Sequence, residues 1–195
     1  VNKPLRLFIA IELPSQMQGS LAEFIQQLSP LSGHAVKWVE PNHMHLTLNF
    51  LGDTSPNLLP KLTAALTSVG GVHPGFELVA QGCGIFPNSS RPRVLWAGIT
   101  CPTELSQLQK ALEVALSPLG FKGEDRPYSP HLTLGRVNDS ANPEPLSKIV
   151  QTFQTQQRRN FGNVRVQNFT LFQSTLTPQG PIYTPLQRVS LLDEA

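Results

Sequence analysis

A four-residue word occurs twice in this chain: positions 45–48 and positions 131–134 both read His-Leu-Thr-Leu. Successive side chains of an extended strand point to opposite faces. His45 and Thr47 therefore share one face and Leu46 and Leu48 the other, and His131 and Thr133 stand in the same relation to Leu132 and Leu134. Each copy is a strand with an apolar back that must be buried and a polar front that must not. Along the strand the His and Thr side chains are about 7 Å apart, the span needed to grip one phosphate from two directions.

The surrounding pattern predicts how the copies are housed. Leu5–Glu12 is rich in β-prone residues and reads as a strand. Pro14 then opens a helix carrying Leu21, Phe24, Ile25 and Leu28 at helical spacing, closed by Pro30 and Gly33. A short strand at 36–39 turns through Pro41-Asn42 into the first His strand, 44–51. An amphipathic helix from Leu58 to Val69 stops at Gly70-Gly71. Strands are expected at 76–81 and 94–99, joined by a long loop, 82–93, that carries Arg91 and Arg93. Thr103 is placed to cap a third helix, the second His strand spans 130–137, and a weaker helix runs from about Pro145 to Thr155. Strands at 163–173 and 182–192 close the chain.

His strand, helix, strand pair thus occurs at 45–99 and again at 131–192, a faint internal repeat. The expected fold is α+β and bilobal: two pseudo-symmetric antiparallel sheets backed by helices, a groove between them, and residues 1–195 forming one domain. Eighteen prolines and fourteen glycines agree with many short elements and argue against a helical bundle. A net charge of +2 is small for a protein that tracks a long polyanion, but compatible with contact to one phosphate or an RNA end. Cys83 and Cys101 have no metal-type spacing and read as buried or idle thiols of a reducing compartment. The opening apolar run, 7–13, is broken by Glu12 and too short for a signal peptide, and no stretch reaches membrane-spanning length. A cytoplasmic protein is the expectation.

The repeated word suggests a chemistry. Two imidazoles can hold one neutral and one protonated ring near neutral pH. The neutral ring takes a proton from a nucleophile while the charged ring gives one to a leaving oxygen. Threonine hydroxyls beside them donate to the nonbridging phosphate oxygens, where charge grows in the transition state. One such strand alone is ordinary; two identical copies in equivalent places of a repeat are not.

With these residues in view, the chain resembles the 2H phosphoesterases, most closely the branch of RNA 2′,3′-cyclic phosphodiesterases once named 2′-5′ RNA ligases. The resemblance spans Arg6-Leu-Phe-Ile-Ala-Ile-Glu-Leu-Pro14, Trp38 ahead of His45-Leu-Thr-Leu-Asn-Phe-Leu-Gly52, and Phe86-Pro87 before Arg93-Val-Leu-Trp-Ala-Gly98. It continues through Tyr128-Ser-Pro-His-Leu-Thr-Leu-Gly-Arg136 and Gly180-Pro-Ile-Tyr183. It implies a bilobal fold with a central site and no metal or other cofactor. By the same resemblance His45 is the proton donor to the leaving 3′ oxygen and His131 the proton acceptor that activates water, with Thr47 and Thr133 orienting the phosphate. The implied partner is RNA ending in a 2′,3′-cyclic phosphate, tRNA fragments among the candidates, with no membrane and no obligate protein partner. Weak, reversible, ATP-independent 2′-5′ ligation is the implied side reaction.

Several assignments stay open on sequence. Arg136 is a phosphate ligand by resemblance, yet simple alternation puts it on the Leu132/Leu134 side, and only a bulge at Gly135 would re-aim it. Tyr183, Trp38 and Phe50 are either base-stacking residues or core aromatics. Arg91 and Arg93 either meet RNA phosphates or mark a solvated loop tip. His43 shares parity with His45, so a His-x-His metal site is a minor alternative, whereas His34 and His73 sit in turns and look idle. At the level of function, the alternatives are a non-catalytic RNA-end or nucleotide-binding module, and a related phosphoesterase acting on a small cyclic nucleotide.

Overall fold

The strands divide between two antiparallel sheets in an order that the chain does not follow. A computed structural model describes residues 3–100, 102–123, 127–178 and 180–193. Its strands are β1 (Leu5–Glu12), β2 (Val36–Trp38), β3 (His45–Thr54), β4 (Phe76–Phe86), β5 (Val94–Ile99), β6 (His131–Val137), β7 (Asn160–Val166), β8 (Asn168–Thr177) and β9 (Gly180–Ser190). The helices are α1 (Ser15–Ser32), α2 (Leu59–Gly70), α3 (Thr103–Leu116) and α4 (Pro143–Thr155). One sheet has the order β3-β1-β8-β9 and the other β2-β6-β5-β4-β7. Helices α2 and α3 pack together behind the first, against β9 and β3, while α1 and α4 pack behind the second, against β7 and β4.

Two lobes are present, as the repeat implied, but neither is a contiguous copy of it. The hairpin that follows the first His strand, β4–β5, joins the second His strand β6, with Gly98 opposite His131. The hairpin at the chain end, β8–β9, instead joins β1, which pairs with the first His strand β3. Each half of the repeat gives its strand pair to the other lobe. Hydrophobic periodicity marks which residues are buried, not which neighbour buries them.

α1 runs on through Pro30 to Ser32, and β3 runs past 51 to Thr54. Three further boundaries differ from the sequence reading for local reasons. β4 does not stop at Gln81. Gly82, at φ +79°, makes a bulge through which the strand passes from pairing with β7 to pairing with β5, shortening the loop to 87–93. Any Cβ at Gly82 would stand 2.7 Å from the Gln157 carbonyl oxygen. The expected strand 163–173 is two strands, β7 and β8, in different sheets, and the chain crosses between them at Gln167. Thr103 does not cap α3: it already lies in the first turn, the cap position is Pro102, and no side chain bonds there.

The apolar backs are buried as alternation requires. Leu46, Leu48, Leu132 and Leu134 are all buried in one contiguous cluster with Leu7, Ile9 and Ile11 of β1 and Met17, Leu21, Phe24 and Leu28 of α1. Each such side chain contributes about 1.5–3 kcal/mol over an exposed one, so the two motifs are held mainly from behind. Cys83 is also buried, and burial pushes its thiol up to about 12, leaving it inert; Cys101 lies outside the described residues. Among the described residues, no helix is long and apolar enough to cross a membrane.

Candidate active site

The two motifs are built alike beyond their four letters. His45 and His131 are half-buried, as are Thr47 and Thr133. The Nδ1 of His45 lies 2.9 Å from the carbonyl oxygen of His43, and the Nδ1 of His131 lies 2.8 Å from that of Ser129. A carbonyl only accepts, so Nδ1 carries the proton in both rings. Nε2 is then the working nitrogen: a base when the ring is neutral, an acid when it is charged.

A bulge follows each threonine. On β3, Thr47 stands opposite Ala10 and Asn49 opposite Ile9, leaving Leu48 as the extra residue. On β6, Thr133 stands opposite Trp96 and Gly135 opposite Leu95, leaving Leu134 as the extra residue. This resolves Arg136. The bulge reverses the alternation, so Arg136 shares the face of His131 and Thr133. Its positive charge, with that of Arg6, acts on the Tyr183 phenol, whose pKa is raised by burial and pulled back by both guanidinium groups. Gly135 itself has no room for a side chain, because a Cβ would lie 2.7 Å from Val36 Cγ1 and 3.0 Å from Trp38 Cε3.

Both rings sit against aromatic side chains. His45 stacks on Phe8 at 4.7 Å between centroids and meets Tyr183 edge-on at 5.2 Å, with Phe172 at 6.5 Å. His131 meets Phe86 edge-on at 5.1 Å and Trp96 at 6.4 Å. The Trp96 indole lies flat over Gly84, where a Cβ would be 2.0 Å from its Cζ2. Phe8, Ala10 and Phe172, with Tyr183 against them, form a small apolar cluster separate from the main core. Burial holds the His45 pKa below the ordinary imidazole value of 6.5; the His43 carbonyl raises it and the His43 ring lowers it.

That depression carries a stability prediction. The unfolded chain takes up the His45 proton before the folded one does, so folded stability is fully present above pH 6.5 and is lost as pH falls through the depressed folded value. Urea unfolding at pH 7.5 and 5.5 should show a smaller loss on acidification in His45→Gln than in the parent. Equal losses would contradict the burial of this ring.

The other expected site residues divide. Tyr183 stands on the motif face against His45 and His43. Phe50, five residues after His45 as Arg136 is five after His131, is 49% exposed, and the Arg6 guanidinium lies 4.8 Å above its ring. Trp38 is not brought to this face. It stands opposite Gly135, on the leucine side, packs on the main core and donates its indole N–H to Ser32 Oγ at 3.0 Å. Arg93 pairs with Asp139. His43 turns its ring to Tyr183 at 5.5 Å, and among the described residues no three His, Cys, Asp or Glu cluster as metal ligands.

Sequence reasoning missed Phe8, Phe86, Trp96 and Phe172 as neighbours of the rings. Phe8 was legible in principle: it alternates with Leu7, Ile9 and Ile11 and so faces away from their core. Glu12, directly opposite His45, was also missed. Its carboxylate accepts from Arg188 Nη2 at 2.7 Å and Thr170 Oγ1 at 3.0 Å.

The two sheets meet where β3 lies against β6, and the Tyr128 hydroxyl, three residues before His131, donates to the Thr47 carbonyl oxygen at 3.0 Å. Two antiparallel sheets, each contributing one His-x-Thr strand to this junction, define a two-histidine phosphoesterase fold. The sequence matches the 2'-5' RNA ligase superfamily over residues 17–176. It is 37% identical over 183 residues to an RNA 2',3'-cyclic phosphodiesterase of Archaeoglobus fulgidus, covering 94% of this chain and 98% of that one. A solved protein of Thermus thermophilus superposes with a TM-score of 0.81 at 31% identity, over 97% of this chain and 100% of its own. E. coli LigT, solved in complex with 3'-AMP, superposes with a TM-score of 0.77 at 29% identity, over 96% and 98%. The chain belongs to the 2'-5' RNA ligase superfamily of 2H phosphoesterases.

Proposed function

We propose that this chain is an RNA 2′,3′-cyclic phosphodiesterase that opens the cyclic phosphate at an RNA end to a 2′-phosphomonoester without a metal. The observation that supports this most is the duplication of one arrangement: a ring fixed through Nδ1 to the carbonyl two residues back, a threonine two residues on, and a bulge after it. Relatives covering nearly the whole chain carry that name.

Each group has one role in the step. Water attacks phosphorus as its proton passes to Nε2 of neutral His131. The P–O3′ bond breaks as Nε2–H of charged His45 protonates O3′. The phosphate remains on O2′. Thr47 and Thr133 hydroxyls donate to the nonbridging oxygens, most strongly as charge builds on them. The buried His45 ring holds its proton poorly in the free protein, and the anionic substrate restores it by favouring the charged ring. Arg136 adds positive charge on the same face, Tyr183 stacks beside the reacting end, and exposed Phe50 with Arg6 over it offers a surface for a base.

On this reading the substrate is an RNA end, tRNA fragments among the candidates, met in the cytoplasm by residues 1–195 acting as one bilobal unit. Water needs no binding site, whereas a second RNA end must be captured by a surface with a net charge of only +2. Hydrolysis should therefore dominate over 2′-5′ joining. The test is RNA with a 2′,3′-cyclic phosphate, incubated with a chelator and excess 5′-hydroxyl RNA, beside a matched cyclic mononucleotide. A 2′-phosphate end is expected as the main product, faster from RNA than from the mononucleotide. A 3′-phosphate, joined RNA as the main product, or loss of activity with the chelator would each overturn the corresponding part of the proposal.

A further inference from the structure

Tyr128 stands outside the repeated word, yet it joins the two copies. Strand β3 is the edge of its sheet, so among the described residues its outer row of backbone groups has no ladder partner. The Tyr128 Oη donates to the Thr47 carbonyl at 3.0 Å, across 81 positions of sequence. Its ring is half-buried and packs on the main core, which fixes where the hydroxyl can reach. The next residue, Ser129, supplies the carbonyl that holds the His131 ring through Nδ1. One short segment thus ties the His131 ring, through its neighbouring carbonyl, to the backbone of the threonine in the other motif. The equivalent position before His45 is Asn42, which is exposed and, among the described residues, makes no corresponding bond. The tie runs from one lobe only.

We infer that Tyr128 is a positioning residue of the reaction: its hydroxyl sets the spacing between the His45/Thr47 pair and the His131 ring. The inference rests on the two-histidine reading above. Two groups that act on one phosphorus must be placed together to well within an ångström, and a misplacement of about 1 Å can cost on the order of 100-fold in rate. The bulge after each threonine makes this spacing easy to lose, because the extra residue interrupts the ladder where the phosphate-facing side chains stand. The hydroxyl restores one fixed point on the side of β3 that, among the described residues, pairs with no strand in a ladder.

The test is Tyr128→Phe, which keeps the ring and its packing and removes only the donor. Expected is a fall in kcat of about 10- to 100-fold on RNA bearing a 2′,3′-cyclic phosphate. KM should stay within about twofold and the melting temperature within a few degrees. A second arm repeats the substitution in a His131→Ala background, where the ring that the tie serves is gone and the hydroxyl should change the residual rate by less than about twofold. An equal fall in both backgrounds would mean a merely structural role and overturn the inference. So would a Tyr128→Phe protein as fast as a parent that does cleave the cyclic phosphate, and that result leaves the two-histidine reading standing. A parent that leaves the cyclic phosphate intact overturns both together.

Discussion

Replacing either His45 or His131 by alanine is expected to lower kcat/KM on a cyclic-phosphate RNA end by about 10²- to 10⁴-fold, the range for loss of one proton-transfer group. The two losses arise differently. Without His45 the leaving O3′ departs as an alkoxide; without His131 the attacking water keeps its proton. The parent should show a bell-shaped pH profile, and each variant should lose one limb of it. Neither substitution should unfold the protein, because both rings lie off the leucine side that carries the core. The aromatic contacts of each ring, His45 on Phe8 and His131 on Phe86, contribute about 0.5–1.5 kcal/mol, so both alanine variants should melt slightly below the parent. Rate measurements beside thermal melts check both parts. Near-parental rates in either variant, with the fold intact, would remove that histidine from the mechanism.

Substituting Thr47 or Thr133 by valine should cost about 10- to 1000-fold, the scale for removing one preorganised donor to a developing negative charge. Valine keeps the β-branched shape, so the strand and its bulge persist and only the hydroxyl is lost. The loss should fall on kcat more than on KM, because the hydroxyl is worth most when charge has built on the phosphate oxygens. Serine at the same position should recover most of the rate. A valine variant that raises KM with kcat unchanged would mean that the threonine holds substrate and transition state equally, and would contradict the role assigned here.

How much of this was legible beforehand differs from residue to residue. The faces of His45, Thr47, His131 and Thr133 follow from alternation alone, and so does burial of the four motif leucines. Arg136 was undecided because a bulge is invisible to alternation; it appears only when β5 fails to match β6 residue for residue. Trp38 looked like Tyr183 on sequence, as an aromatic near a motif. The partner decides between them: Trp38 lies against Gly135 on the helix side, Tyr183 against His45 on the open side. The carbonyls of His43 and Ser129 carry no side-chain signal at all. Their role comes from the turn of chain before each strand, which sets where a backbone oxygen points.

By itself the sequence determined most of the elements, the polarity of the two His strands' faces and the membership of the two histidines in one duplicated arrangement. These depend on the pleat and on side-chain chirality, which act between residues a few positions apart. The tertiary structure alone decided which sheet each hairpin enters, where the ladders bulge, which aromatics reach the rings, and that Tyr128 bonds to Thr47. Those depend on contacts between segments far apart in the chain. The repeated word specifies two strands with the same chemistry; the tertiary packing of β3 against β6 sets them against each other.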